Sequence, residues 1–223
     1  MKVGTDGILL GAWCGPCDST IASTRILDIG TGTGLIALML AQRNLCATID
    51  AIEIDRAACE QAAENFAAAP WSGRLTAIPG CVRDYRAELQ YELIVSNPPW
   101  FSDSLKSPST NRNTARHDDT LNANDLLEAV HRLLTANGRF CTVLPMLSGQ
   151  KFIVSAAFAG LHCVRHCQVQ PNAGNLPARC LLEFSRTAPV GRLVPETLIV
   201  ETATRHDYTP AFRDLTRDFY LRF

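Results

Sequence analysis

Asp28-Ile29-Gly30-Thr31-Gly32-Thr33-Gly34 follows a short apolar run, Ile26, Leu27 and Ile29, and opens a helical one, Leu35 to Arg43. Three glycines at alternate positions let the backbone pass close to a ligand and turn sharply from strand into helix. Nicotinamide-cofactor folds use a GxGxxG spacing and do not call for an acid two residues before the first glycine. Here Asp28 occupies that place. A carboxylate there can bind a cationic amino-acid ammonium, directly or through water, as S-adenosylmethionine requires; beside a pyrophosphate it would be repelled. Glu53 ends the second apolar run, Ile49 to Ile52, where an acid at a strand tip can accept both ribose hydroxyls. Asp28, Gly30, Gly32, Gly34 and Glu53 are therefore the candidate cofactor-binding residues.

Ser96-Asn97-Pro98-Pro99-Trp100 follows a further apolar run, Leu93-Ile94-Val95. It sets an amide, two prolines and an indole at the mouth of a buried strand. The nitrogen of an exocyclic nucleobase amine is a poor nucleophile, because its lone pair is delocalised into the ring, and it needs acceptors for its two hydrogens. Asn97 Oδ1 and the Pro98 carbonyl can supply them, held in place beforehand by the restricted proline backbone. Trp100 offers a face on which the base can stack. Asn97, Pro98 and Trp100 are the candidate catalytic residues.

Around these two motifs apolar runs and helical segments alternate, the pattern of a doubly wound α/β fold with a mostly parallel sheet. Seven strands are predicted at 25–29, 48–54, 75–79, 92–96, 139–145, 161–170 and 179–186, with helices at 35–43, 56–68, 124–135 and 149–159. Asn137-Gly138 reads as the stop of the third of these helices. The last two strands follow one another without a helix and should form an antiparallel hairpin at the sheet edge. The tail reads as a strand over 197–202 and a helix over 210–220, its aromatics docked on the core. The proposed functional residues then fall at the carboxyl ends of strands, where open α/β sheets bind ligands. Asp84, just beyond the third strand, is a further candidate for the cofactor's adenine.

A chain of 223 residues suits one α/β domain, here taken as residues 1–223. With no apolar stretch near twenty residues and no secretory signal core, a soluble cytoplasmic protein is expected, with no membrane partner. The net charge of −1 conceals an asymmetry. Residues 1–103 carry 7 basic and 12 acidic side chains, whereas residues 104–192 carry 10 and 5. Lys106, Arg112 and Arg116 lie in a stretch, 104–117, without any acid, which reads as a basic loop beside the active site, suited to RNA phosphates. Nine cysteines at scattered spacings argue for reduced thiols. Trp13-Cys14-Gly15-Pro16-Cys17 looks like a thioredoxin redox motif but does not sit between a strand and a helix that would lower its thiol pKa. His162-Cys163 and His166-Cys167 lack a second ligand pair at zinc spacing, so no metal is expected.

Several stretches together resemble the bacterial tRNA1(Val) adenine-N(6) methyltransferases, a family of the seven-stranded class I methyltransferases. They are the opening Met1 to Trp13, the glycine turn with Leu35 to Arg43, the loop Ser96 to Trp100, and the closing Phe219-Tyr220-Leu221. The resemblance implies transfer of a methyl group from S-adenosylmethionine to the adenine 3′ of the anticodon in tRNA. It assigns Asp28, Gly30 and Glu53 to the cofactor, and Asn97, Pro98 and Trp100 to the base. Three departures stand out. The family carries an aromatic and basic segment before the Met-Lys-Val-Gly-Thr-Asp block; it carries an acid where Cys81 stands; and it more often has Tyr at the position of Trp100. Two other readings remain open on the sequence. One is a class I enzyme acting on a protein glutamine amide or another nucleobase amine; the other is a non-catalytic RNA-binding module that has lost the cofactor. The oligomeric state is not fixed by the sequence, and a monomer is expected.

Overall fold

The computed structural model describes residues 4–17, 24–99 and 121–222. Trp100, Lys106, Arg112 and Arg116 lie outside the described residues. The chain starts with a helix, α1 (Thr5–Trp13), followed by β1 (Arg25–Ile29), α2 (Leu35–Arg43), β2 (Thr48–Glu53), α3 (Arg56–Ala67), β3 (Leu75–Pro79) and β4 (Tyr91–Ser96). Then come α4 (Ala123–Leu133), β5 (Leu134–Pro145), α5 (Met146–Phe158), β6 (His162–Asn172), β7 (Arg179–Ser185), β8 (Glu196–Glu201) and α6 (Pro210–Thr216). All eight strands join one sheet in the order β3-β2-β1-β4-β5-β7-β6-β8.

Successive strand residues point to opposite faces, and here both faces are buried. Ile26, Leu93 and Val95 meet α1 and α2 on one side; Leu27, Ile94 and Phe140 meet α4 and α5 on the other. The doubly wound reading of the sequence is thus the observed one. The order of strands reverses at β1, which lies parallel between β2 and β4, and this opens a crevice at the carboxyl ends of those strands.

Three details differ from expectation. The tail strand β8 joins the sheet parallel to β6, so the antiparallel pair β6–β7 lies inside the edge and the sheet has eight strands rather than seven. Only β7 runs against its neighbours among the described strands. Asn137-Gly138 does not stop a helix. α4 ends at Leu133, Leu134 pairs with Tyr91, and the register then jumps to Leu93 opposite Arg139, so the dipeptide sits in a bulge of β5. The third is α1 itself, a helix that no sequence pattern announces. Leu9, Leu10, Ala12 and Trp13 are all buried, and a helix apolar on every side carries no amphipathic period to reveal it.

α1 is anchored at both ends. Its last carbonyls are capped by three arginines: Arg43 donates to Ala12 O, Arg139 to Cys14 O at 2.8 Å and Arg165 to Trp13 O at 3.2 Å. Cations there also suit the negative end of the helix dipole. In its first turn, Asp6 accepts from Arg179 Nε at 2.9 Å. Between these ends Gly7 and Gly11 lie against α2, where a Cβ on Gly11 would stand 2.8 Å from Met39 Sδ. The helix start is thereby held over the crevice.

A candidate active site at the strand tips

The glycine turn is fixed from below by the neighbouring strands. Gly30 and Thr31 N–H donate to Ile52 O at 2.9 and 3.2 Å, and Ser96 Oγ donates to Ile29 O at 2.9 Å. These bonds tie the tips of β1, β2 and β4 together. Gly30, Gly32 and Gly34 all have positive φ, 70°, 59° and 87°, a region that glycine enters without steric cost. Gly30 and Gly32 face the crevice; Gly34 does not line it. A Cβ on Gly34 would come within 2.4 Å of Phe66 Cε1, so this glycine seats α2 against α3.

Glu53 is locked by its surroundings. Its Oε2 accepts from Gly32 N–H at 2.8 Å and its Oε1 from Asp55 N–H at 3.0 Å, while Asp55 caps α3 by accepting from Ala58 N–H. Each carboxylate oxygen keeps a lone pair for a ligand hydroxyl. Asp28 lies deeper, fully buried. Its Oδ2 accepts from Thr31 Oγ1 at 2.6 Å, and its Oδ1 has no hydrogen-bond partner among the described residues. Burial pushes its carboxyl up from the ordinary 3.8 to about 7, with Glu53 adding to the rise while the Thr31 hydroxyl and the Ala37 amide oppose it. A buried acceptor left unpaired is costly and calls for a partner. Asp28 is not on the lining of the crevice, so an ammonium at the glycine turn would have to reach it through a water.

The crevice is a cavity of about 580 Å³, within the usual range for small-molecule sites. It runs continuously from Glu53 and the glycine turn to Asn97, Pro98 and Pro99, with Gly4 and Gly7 of α1 on its rim. Asn97 is half-buried and Pro98 buried at the end of β4. The site thus brings Gly30, Gly32, Glu53, Asn97 and Pro98 around one space. Asp84 does not belong to it: the residue is exposed and off the lining, whereas Cys81 and Val82, from the turn after β3, face inward. Ile54 and Leu35, together with the start of α1, also line the cavity without having been singled out from the sequence. The GxxxG spacing of Gly7 and Gly11 signals helix contact only once α2 is known to lie beside α1.

The cysteine motif behaves as its context suggested. Cys14 caps the carboxyl end of α1, away from any helix amino terminus, and burial raises the Cys17 thiol despite the nearby Arg139. Among the described residues no group of three or more His, Cys, Asp or Glu side chains could hold a metal ion. No described helix is long and apolar enough to cross a membrane.

The family model of the methyltransferase small domain matches residues 17–168. A Bacteroides fragilis protein named tRNA1(Val) (adenine(37)-N6)-methyltransferase is 46% identical over 225 residues, covering 100% of this chain and 92% of that one. A Cronobacter sakazakii protein of the same name is 42% identical, covering 99% and 89%. Among solved structures, a predicted O-methyltransferase from Agrobacterium tumefaciens superposes with a TM-score of 0.71 at 20% identity over 96% of both chains. A glycopeptide N-methyltransferase complexed with S-adenosylmethionine superposes with a TM-score of 0.59 at 13% identity, covering 82% of this chain and 88% of the other. At those identities the two structures speak for the fold alone.

Proposed function

This chain belongs to the methyltransferase small domain family and, within it, to the tRNA1(Val) (adenine(37)-N6)-methyltransferases, and from that premise we propose that its crevice methylates the exocyclic amine of adenine 37 in tRNA1(Val). The observation that carries the reading is the single cavity shared by Glu53 and Asn97. It sets a hydroxyl-binding carboxylate and an amine-binding amide on two sides of one space, as a two-substrate transfer needs.

S-Adenosylmethionine, when bound, supplies an electrophilic methyl group on a sulfonium. The chain's own residues do the rest. Glu53 takes the ribose hydroxyls, the Asp28 carboxylate attracts the ammonium from beneath the glycine turn, and the backbone at Gly30 and Gly32 allows close approach. On the acceptor side, Asn97 Oδ1 and the Pro98 carbonyl accept the two amine hydrogens and so return electron density to the nitrogen. Trp100 stacks on a base turned out of its loop. No side chain need act as a strong base, because an alkylated amine nitrogen is acidic and sheds its proton to solvent. Lys106, Arg112 and Arg116 neutralise phosphates of the anticodon arm. On this reading the protein is a cytoplasmic, single-domain monomer.

Incubation with labelled S-adenosylmethionine and unmodified total tRNA, followed by nucleoside mass spectrometry, tests the reading. N(6)-methyladenosine at position 37 is the expected product. Label in protein glutamine, in another nucleoside, or nowhere would overturn it.

A further inference from the structure

The cavity residues fall in order along the strand tips: Asn97 on β4, the glycine turn on β1, Glu53 on β2 and Cys81 after β3. A cofactor with its reactive methyl toward Asn97 and its ribose on Glu53 must place its purine beyond β2. There the described lining residues that follow β2 and β3 are Ile54, Gly80, Cys81 and Val82. Cys81 is the only one of these with a side-chain heteroatom. Its sulfur is already engaged, accepting from Arg83 Nε at 3.3 Å, and sulfur is a weak acceptor in any case. Asp84, the nearest carboxylate in sequence, is exposed and off the lining.

We infer that Cys81 makes this pocket indifferent to the exocyclic amine of the cofactor's purine, which the described side chains hold by apolar contact and through the ribose, with none of them an acceptor for its 6-amino group. The inference rests on the proposed cofactor site. Its physical basis is the asymmetry of polar recognition. A site with a buried acceptor for an N–H rejects an analogue lacking that group, because the acceptor is stranded; an apolar site with a thiol strands nothing.

Calorimetry separates the possibilities without any turnover. S-Adenosylhomocysteine and its 6-deamino analogue, in which hydrogen replaces the exocyclic amine, are titrated into the wild-type chain, Cys81→Ala and Cys81→Asp. Wild type and Cys81→Ala are expected to bind the two compounds within about threefold of each other. Cys81→Asp places a carboxylate at the same position and should prefer the amine-bearing compound by about 10- to 100-fold, the range of a charge-assisted hydrogen bond. A wild-type preference for the amine-bearing compound above about threefold would overturn the inference while leaving the cofactor site intact. Equal binding of both compounds by Cys81→Asp would also overturn it, since the amine would not then reach this residue. Failure of S-adenosylhomocysteine to bind the wild-type chain at all would remove the cofactor site and this inference together.

Discussion

Gly32 N–H donates to Glu53 Oε2 at 2.8 Å, joining the turn after β1 to the tip of β2. With Asp55 N–H on the other oxygen at 3.0 Å, the carboxylate is oriented before any ligand arrives, and orientation set in advance lowers the cost of binding. Glu53→Gln keeps the size but turns one acceptor into a donor, which must face an N–H. The variant should bind S-adenosylhomocysteine about 10- to 100-fold more weakly, as read by calorimetry. Unchanged affinity would show that the ribose does not use this carboxylate.

Asn97→Ala removes an acceptor that matters most when the amine nitrogen becomes positive. Turnover on tRNA should fall by roughly two to three orders of magnitude, as for loss of one preorganised transition-state partner, while affinity for S-adenosylhomocysteine stays close to that of the wild type. A parallel loss of cofactor binding would mean that Asn97 shapes the pocket instead.

Gly34 has φ 87° and no room for a methyl group against Phe66. Gly34→Ala should therefore cost about 1–3 kcal/mol from overpacking alone, with backbone strain added, measured by urea unfolding. Phe66→Leu, introduced alongside, relieves the clash but not the strain, so the double variant should recover part of the loss. Additive effects of the two changes would contradict the packing role.

Much of this architecture is readable from the chain because parallel strands buried on both faces appear as unbroken apolar runs. The bounds of β1, buried along nearly all its length, coincide with its sequence reading for that reason, and those of α2 and β3 coincide as well. Where burial does not follow a period, the reading fails. α1 is apolar all round, and its glycines signal helix contact only once α2 is known to lie beside it. Asn137-Gly138 has stop chemistry, yet α4 ends earlier and passes directly into β5 because Leu134 already pairs with Tyr91. At the site, residue types identified Glu53 and Asn97, whose positions follow from strand ends. The turn after β3 is different. Which of Cys81 and Asp84 faces inward depends on how the 81–85 segment folds back, with Asp84 and Tyr85 N–H both donating to Cys81 O, and no local pattern encodes that.

Asp28 links this chemistry to pH. Its carboxyl is raised from 3.8 to about 7 in the folded protein, burial being the principal cause. The unfolded chain loses this proton near its ordinary value, while the folded chain holds it until about pH 7. The stabilisation is therefore complete below the unfolded value, declines as pH rises through the interval, and is gone above the folded one. A shift of about three pH units corresponds to roughly 4 kcal/mol at most. Asp28→Asn keeps an oxygen for the Thr31 hydroxyl and has nothing to ionise. The variant should gain stability relative to wild type between about pH 5 and pH 8, by an amount on the order of 2–3 kcal/mol, in urea titrations at the two pH values. The bound ammonium reverses the balance, because a nearby cation favours the carboxylate. S-Adenosylhomocysteine binding to the wild type near pH 6 should release a proton, seen as a dependence of the calorimetric heat on the buffer's ionisation enthalpy, and that dependence should vanish in Asp28→Asn. A wild-type heat independent of buffer would show that the ammonium does not sense Asp28.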